Sequence, residues 1–386
     1  MRKLILYFIV LNIFLLSSCT DSDNNDMCLI QLDIDNASAS TNWAAVLDTT
    51  YFKAIALETT DDCLIGEVLK IIYEDDMLIV ADNMSHSVFF FNTEGKFLNS
   101  ICKIGRGPDE YFELTDISVR DGKVWLLDNI SCKVLCYDYT GRMLHKFNTQ
   151  GGVSIQALEN SILIGDVWGG VAAGGPYLLS EFDFNGKQIG SYIPYKKSDK
   201  DRDSGDWQPF SGGVENSTYF LVSSKNEVWS YNNKKASLVY KFDLGKYEMP
   251  DKYKKLGLKY IITNKLHEQY SLGVYNLWES TLYRFAIIYC KGDKYLCIID
   301  KKNSNVISLS KSMFFDVFNI SAGTIIKTDG DYLLSYHSSN TLVGLRDYMW
   351  NPDNNTPIGG TKELYRLSQN MSADDNGVIV MMRLKQ

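Results

Sequence analysis

An internal repeat constrains the fold of this chain more than any other feature of its sequence. Residues 82–98 and 128–144 share one pattern of polar, apolar and turn residues, and each matched pair is 46 positions apart. A looser third copy, Phe182-Asp183 and Gly186-Lys187, follows at an offset of 45. A period of this size is typical of folds built from repeated supersecondary units. The matched positions are Asp82 and Asp128, Asn83 and Asn129, Val88 and Val134, Phe91 and Tyr137, Gly95 and Gly141, and Leu98 and Leu144.

Each copy predicts four short antiparallel strands. In the second copy, apolar runs at 116–119, 124–127, 134–137 and 144–147 alternate with turn residues such as Asp121-Gly122 and Thr140-Gly141. Glycine accepts the positive φ that tight hairpin turns require, so these pairs predict hairpins. A four-stranded unit of about 40–45 residues is the size of one β-propeller blade.

The same pattern accounts for the rest of the chain and predicts an all-β, six-bladed β-propeller over residues 51–386. The last unit offers only three strands, and residues 52–57 can supply its fourth. Closing the ring with this N-terminal strand removes the open sheet edge that would invite aggregation. The predicted blades are 64–102, 113–148, 153–193, 212–244, 273–310 and 322–385.

The N terminus predicts export and a lipid anchor. A basic head precedes an apolar run over 4–16, which fits a secretory signal and is shorter than the roughly 20 apolar residues of a membrane span. Leu16-Ser17-Ser18-Cys19 resembles the signal of bacterial lipoproteins, which implies removal of 1–18, acylation of Cys19 and attachment to the outer membrane. A simple secretory signal is the alternative. The polar, acidic start of residues 19–50 predicts a flexible tether and resembles signals for cell-surface display.

Net charge limits the class of partner, and cysteine spacing indicates the state of the thiols. Without residues 1–18, the chain has 37 basic and 47 acidic residues, a net charge of −10. Nucleic acids are bound mainly through clusters of Lys and Arg, so a nucleic-acid partner is not expected. Seven cysteines remain besides Cys19, with no CxxC spacing, which favours free cysteines packed as small apolar residues.

One segment resembles a known group of proteins. Ile104-Gly105-Arg106-Gly107-Pro108-Asp109-Glu110-Tyr111, together with the repeat residues, resembles NHL-type repeats and, more closely, six-bladed propeller lipoproteins of gut bacteria. The resemblance covers residues 55–150, and Asp109 stands where the motif has a second glycine. It implies the propeller fold and a place in the cell envelope, but no reaction.

Propeller topology places the longest connections on one face, because loops between second and third strands and crossovers between blades emerge together. Loops on a rigid scaffold often carry function, so we expect this face to bind the partner. The insertion after 338 also predicts a helix over 362–371. The candidate ligand-binding residues in these loops are Asp166, Trp168, Asp206, Trp207, Arg346, Tyr348 and Trp350.

Asp82 and Asp128 lie at the same end of two predicted second strands. Repeated carboxylates there could hold a hard cation such as calcium, which prefers oxygen ligands. Alternatively, each side chain accepts hydrogen bonds from backbone amides of its own turn. Since the motif recurs like a structural element, the sequence favours the second interpretation.

Two functions fit these features. The first is a non-catalytic binding or scaffold module for a glycan or an envelope protein, with aromatic anchors rimmed by polar groups. The alternative is a calcium-assisted hydrolase or lyase, similar to six-bladed lactonases, with carboxylates at the channel mouth. The four histidines form no HExxH pair and there is no GxSxG motif, so the sequence favours binding without requiring a cofactor.

Overall fold

The computed structural model describes residues 27–166, 177–194, 210–212, 218–311, 324–329, 331–346 and 359–386. Its strands form six separate sheets, and the four blade strands of each sheet are antiparallel. The first strand of every blade contacts the first strand of the next, and the sixth contacts the first, so the ring is closed. The predicted six-bladed propeller is confirmed.

The strands follow the predicted blades closely. Two N-terminal strands, β1 (Cys28–Gln31) and β2 (Leu47–Ala56), precede the first complete blade. The first two blades are β3 (Val68–Glu74), β4 (Met77–Asp82), β5 (Ser87–Asn92), β6 (Phe97–Ile101), and β7 (Asp116–Arg120), β8 (Lys123–Asp128), β9 (Lys133–Asp138), β10 (Met143–Asn148). The third and fourth are β11 (Ser154–Ala157), β12 (Ile162–Gly165), β13 (Tyr177–Phe182), β14 (Gln188–Pro194), and β15 (Phe210–Gly212), β16 (Thr218–Val222), β17 (Glu227–Asn232), β18 (Lys235–Asp243). The fifth is β19 (Ser271–Glu279), β20 (Tyr283–Cys290), β21 (Asp293–Asp300), β22 (Val306–Ser310), and the sixth contains β23 (Thr324–Asp329), β24 (Tyr332–His337) and β25 (Val378–Leu384).

Short helices lie in two long connections. Between the fourth and fifth blades are α1 (Asp251–Lys254) and α2 (Gly257–Thr263). Between β24 and β25 are α3 (Ser339–Gly344) and α4 (Gly359–Ser368), and α4 overlaps the helix predicted over 362–371.

Strand β2 closes the ring as the fourth strand of the sixth blade. It pairs antiparallel with β25, from Phe52 opposite Met382 to Ala56 opposite Val378. Gly95, in a turn of the first blade, packs so closely on β2 that an added Cβ would lie 2.1 Å from the carbonyl oxygen of Ala56. The closing strand is therefore fixed by its own blade and by the next one.

The apolar core is divided among the blade interfaces. Six clusters of buried side chains each join two neighbouring blades, and one of them combines Ile72 and Phe90 of the first blade with Ile117 and Leu126 of the second. Burial of apolar area is the main favourable contribution to folding. Each blade consequently depends on both of its neighbours for its core.

The predicted flexible tether over 19–50 extends too far, because residues 28–46 pack on the propeller and β2 begins at Leu47. β1 pairs parallel with β18 and makes the sheet of the fourth blade five-stranded. Ser38 then exchanges backbone hydrogen bonds with Leu309 and Lys311 beside the fifth blade, and the amide of Lys385 donates to Val46 at the sixth. We call residues 28–46 the N-terminal strap.

The strap folds because it covers apolar surface at the outer edges of three blades. Ile30 and Ile34 are buried in the core between blades four and five. The fully buried ring of Trp43 lies 6.5 Å from that of Phe285 in the core between blades five and six. The tether was predicted from the polar, acidic run 20–26 and extended to residue 50, but apolar side chains such as Ile30, Ile34 and Trp43 anchor the later part.

All seven cysteines of the folded part are free. Cys136, Cys290 and Cys297 are buried, and burial raises the pKa of the Cys136 thiol to about 12. They pack as small apolar side chains, as expected.

Substitution Trp43→Ala should lower the free energy of unfolding by about 3–5 kcal/mol, because it empties a fully buried site at a blade interface. Urea denaturation of the full-length protein measures this loss. Met27→Ala, at an exposed residue directly before the strap, is the control and should change stability by less than about 0.5 kcal/mol. Equal stability of the two variants would show that the strap is not part of the cooperative fold.

Candidate binding face

The longest connections share one face of the propeller. We call this surface the loop face; it is formed by the loops between second and third strands and by the crossovers between blades. Its described parts are 57–67, 83–86, 102–115, 129–132, 149–153, 166, 223–226, 244–270, 291–292, 311, 338–346 and 359–377. The opposite face has mainly short hairpin turns such as 75–76 and 121–122.

Most of the predicted ligand-binding residues lie outside the described part of the chain. These are Trp168, Asp206, Trp207, Tyr348 and Trp350, together with the proposed lipidation site Cys19. Their predicted roles therefore stay predictions.

The two described candidates, Asp166 and Arg346, have local contacts. Asp166 directly follows β12, is 3% exposed, and its amide donates to the carbonyl of Leu178. The guanidinium of Arg346 donates to the carbonyls of Ser368 and Met371 at the end of α4. The two residues belong to blades three and six, and each of these contacts lies within the residue's own blade.

Asp82 and Asp128 hold the loops of the first two blades together. Oδ1 of Asp82 accepts hydrogen bonds from the amides of Gly66 and Glu67 at 3.0 and 2.6 Å, and Oδ2 accepts one from Ser85 at 2.7 Å. Both aspartates are fully buried at the ends of β4 and β8. Each carboxylate thus joins its own turn to the crossover that precedes its blade.

The second carboxylate repeats this arrangement 46 residues later. Oδ2 of Asp128 accepts from the amide of Phe112 at 2.6 Å, and Oδ1 accepts from Ser131 at 2.9 Å. Backbone amides occupy the acceptor positions that a cation would use. Within the described ranges, no three acidic, His or Cys side chains converge as a metal site.

His337 occupies the corresponding position in the sixth blade, as the last residue of β24. Its ring is buried, and Nε2 lies 3.0 Å from Oγ of Ser335. Burial lowers the pKa of His337 to about 4, so the imidazole is neutral at neutral pH. His337 lies directly before the loop-face segment 338–346.

The loop face of the first two blades presents four exposed apolar side chains on loops that are hydrogen-bonded to one another. Met84 and Ile130, which are 70% and 59% exposed, follow the Asp-Asn pairs at equivalent repeat positions. Leu64 and Phe112, 50% and 46% exposed, lie in the two crossovers bound by the buried carboxylates. We call these four residues the blade 1–2 apolar patch.

Short contacts connect the loops that carry this patch. Met84 lies over Gly66, where an added Cβ would be 2.8 Å from the Met84 sulfur. The hydroxyl of Tyr111 donates to the carbonyl of His86, which joins the turn of the first blade to the crossover of the second. These contacts fix the backbone of the loops that carry the patch.

Exposed apolar residues are concentrated on the loop face. Of the fifteen large apolar side chains that stand out as exposed in the described ranges, nine lie there and one, Leu282, lies on the opposite face. The other five, Met27, Leu29, Leu98, Ile189 and Val306, lie at the outer rim. Besides the patch, the nine include Ile104, Leu256, Tyr260, Ile262 and Leu345.

Acidic side chains lie in the same two crossovers that carry Leu64 and Phe112. Asp61, Asp62 and Glu67 are exposed and Glu113 is half-buried, and none of the four forms an ion pair with another described residue. Of the neighbouring lysines, Lys146 pairs with Asp109 at 2.8 Å. Lys103 lies over the ring of Tyr137 and Lys133 donates to the carbonyl of Glu110, and both keep their positive charge in these contacts.

A family model described as "Domain of unknown function (DUF4934)" matches residues 30–383. The chain belongs to this family. No curated protein matches the sequence. The matched range begins at Ile30 and so includes most of the N-terminal strap.

Solved structures share the fold. A Bacteroides fragilis protein described as exported superposes with a TM-score of 0.73 at 16% identity, covering 93% of this chain and all of that one. A DUF4221 family member from Bacteroides vulgatus gives 0.49 at 11% identity over 86% and 96% of the two chains. Virginiamycin B lyase from Staphylococcus aureus gives 0.42 at 13% identity over 74% and 81%. At 16% identity, the superposition on the Bacteroides fragilis structure establishes a shared propeller fold and no shared function.

Removing the Asp128 carboxylate should destabilise the protein. Asp128→Ala leaves the amides of Phe112 and Ser131 without their acceptor, and we expect a loss of about 1–3 kcal/mol in the free energy of unfolding. Asp128→Asn keeps one acceptor oxygen and should lose less. Calcium should not change the melting temperature of the parent protein, and stabilisation by calcium that Asp128→Ala abolishes would instead establish a cation site.

His337 should make stability fall in mild acid. As the pH drops from about 6.5 to about 4, the unfolded chain binds a proton that the folded imidazole does not, at a cost of up to about 3 kcal/mol. His337→Gln removes this dependence. Chemical denaturation at several pH values in this window gives the slope of the free energy of unfolding against pH for the parent protein and for His337→Gln. Identical slopes in the two proteins would show that His337 is accessible to protons in the fold.

Proposed function

We propose that this protein is a non-catalytic binding module of the cell envelope whose loop face docks a partner protein. The observation that carries the proposal is the concentration of exposed apolar side chains on that face. Soluble proteins rarely expose clustered apolar surface, and such patches are typical of interaction sites. No observation among the described residues favours the calcium-assisted hydrolase or lyase.

The side-chain types support a protein partner more than a glycan. The blade 1–2 apolar patch consists of Leu, Met, Phe and Ile, and Met and aromatic residues are enriched at the centre of protein interfaces. Of the aromatic candidates for glycan binding, Trp168, Trp207, Tyr348 and Trp350 lie outside the described residues. The alternative binding function is recognition of a glycan, or a scaffold role, through those four aromatic side chains.

We further infer that the chain is exported and held at the outer membrane by lipid on Cys19. The signal-like residues 1–18 and the fold shared with a protein described as exported support this location. In the described part of the chain, no helix is long and apolar enough to cross a membrane. Eight residues separate Cys19 from β1, a maximum span of about 30 Å, so a lipid anchor would keep the propeller close to the membrane surface.

The anchor can be tested by metabolic labelling with radioactive palmitate. Cys19→Ala should abolish incorporation of label and move the protein out of the membrane fraction. Cys102→Ala, which removes an exposed thiol of the propeller, is the control and should leave both unchanged. Full labelling of Cys19→Ala would rule out acylation at this site.

Docking through the loop face can be tested by photo-crosslinking in cells that encode the protein. A photoreactive amino acid at Met84 or Ile130 should give a discrete protein adduct, because both side chains reach solvent from the proposed interface. The same amino acid at Leu98 or Ile189, exposed on outer strands, should not. Equal adducts from all four positions, or adducts from the controls alone, would contradict docking on this face.

A further inference from the structure

We propose that the blade 1–2 apolar patch binds a basic amphipathic segment of the partner protein. This inference rests on the proposed function, since it names the chemistry of the partner that the loop face would dock. It concerns one part of that face, the residues Leu64, Met84, Phe112 and Ile130.

The patch is held in place before any partner binds. The buried carboxylates of Asp82 and Asp128 fix the two turns that carry Met84 and Ile130 to the crossovers that carry Leu64 and Phe112. Little ordering is needed on binding, and pre-organised surfaces bind more tightly for that reason. Apolar side chains in such a position favour a partner that supplies apolar side chains of its own.

The acidic residues near the patch favour a partner with positive charge. The loop segments 57–67, 83–86, 102–115 and 129–132 contain seven acidic and two basic residues, and Asp61, Asp62, Glu67 and Glu113 have no ion-pair partner among the described residues. We call these four carboxylates the acidic rim. Arg106 is the exposed cation nearby in the sequence. A partner segment with Lys or Arg side chains beside its apolar side chains would complement the acidic rim, and complementary charge gives specificity and faster association.

The same rim argues against two other occupants. Anionic lipid headgroups attract basic surfaces and would be repelled by these carboxylates. A second copy of this chain would bring like charges together, since the mature chain has a net charge of −10. The acidic rim and the apolar centre together therefore fit a basic protein segment best.

A pair of synthetic probes tests the sign of the charge. One is a fluorescent amphipathic helix of Leu and Lys, and the other has the same Leu stripe with Glu in place of Lys. Fluorescence anisotropy with the purified full-length protein should show binding of the Leu/Lys peptide and none of the Leu/Glu peptide. The affinity should weaken as salt rises, because the charges involved are exposed to solvent.

Matched variants show whether the probe binds at the patch rather than at acidic surface in general. Met84→Ser combined with Ile130→Ser should weaken Leu/Lys binding about tenfold or more, and Leu98→Ser combined with Ile189→Ser should leave it unchanged. Glu67→Gln with Glu113→Gln should weaken binding and reduce its dependence on salt. Glu159→Gln, an exposed glutamate on the opposite face, is the charge control and should have no effect.

The outcomes separate this inference from the proposed function. Equal binding of the two peptides, or equal weakening by patch and control variants, would overturn the basic-partner inference. If crosslinks at Met84 persist in cells in that case, docking on the loop face still stands. Binding of vesicles that contain phosphatidylglycerol, or self-association lost in the Met84 and Ile130 variant, would overturn the inference in favour of a membrane or a second copy.

Discussion

The structure depends on the closure of its ring by strand β2. Each blade shares its apolar core with both neighbours, so a missing fourth strand in one blade would expose core on both of its interfaces. β2 supplies Leu47 to the core between blades five and six and Ile55 to the core between blades six and one. The N-terminal strap extends the same arrangement by covering the outer edges of blades four and five. The first residues of the domain thereby contribute to half of the ring.

Buried polar groups hold the loops of the first two blades in place. Asp82, Asp128 and His337 end the second strands of three blades, and the two aspartates use both oxygens on backbone amides. Buried polar groups stabilise a structure only when they are fully hydrogen-bonded, and then they specify one conformation. The loops above these buried groups can therefore present apolar side chains without first becoming ordered. If the loops had to be ordered on binding, the lost conformational entropy would weaken the affinity.

Sequence patterning predicted the architecture and missed much of the surface. The repeat fixed the blade count, and the three-stranded last unit identified residues 52–57 as the closing strand, since period and strand number follow directly from the order of residues. The N-terminal strap was missed because its apolar residues are spread among polar ones and gain their burial only from distant blades. The structural use of Asp82 and Asp128 was predictable from their repetition. The apolar patch had a signal in Met84 and Ile130, which follow Asp-Asn at the same offset, but exposure depends on the tertiary arrangement of four loops.

Ring closure also determines when the protein can fold. Phe52 of β2 pairs with Met382 of β25, 330 residues later in the chain. Such distant pairings make folding slow, because loop closure must precede the contacts that reward it. Until β25 has been synthesised, β2 lacks this partner and the propeller cannot close. The delay also leaves β2 as an unpaired edge during that interval, when association with other chains competes with closure.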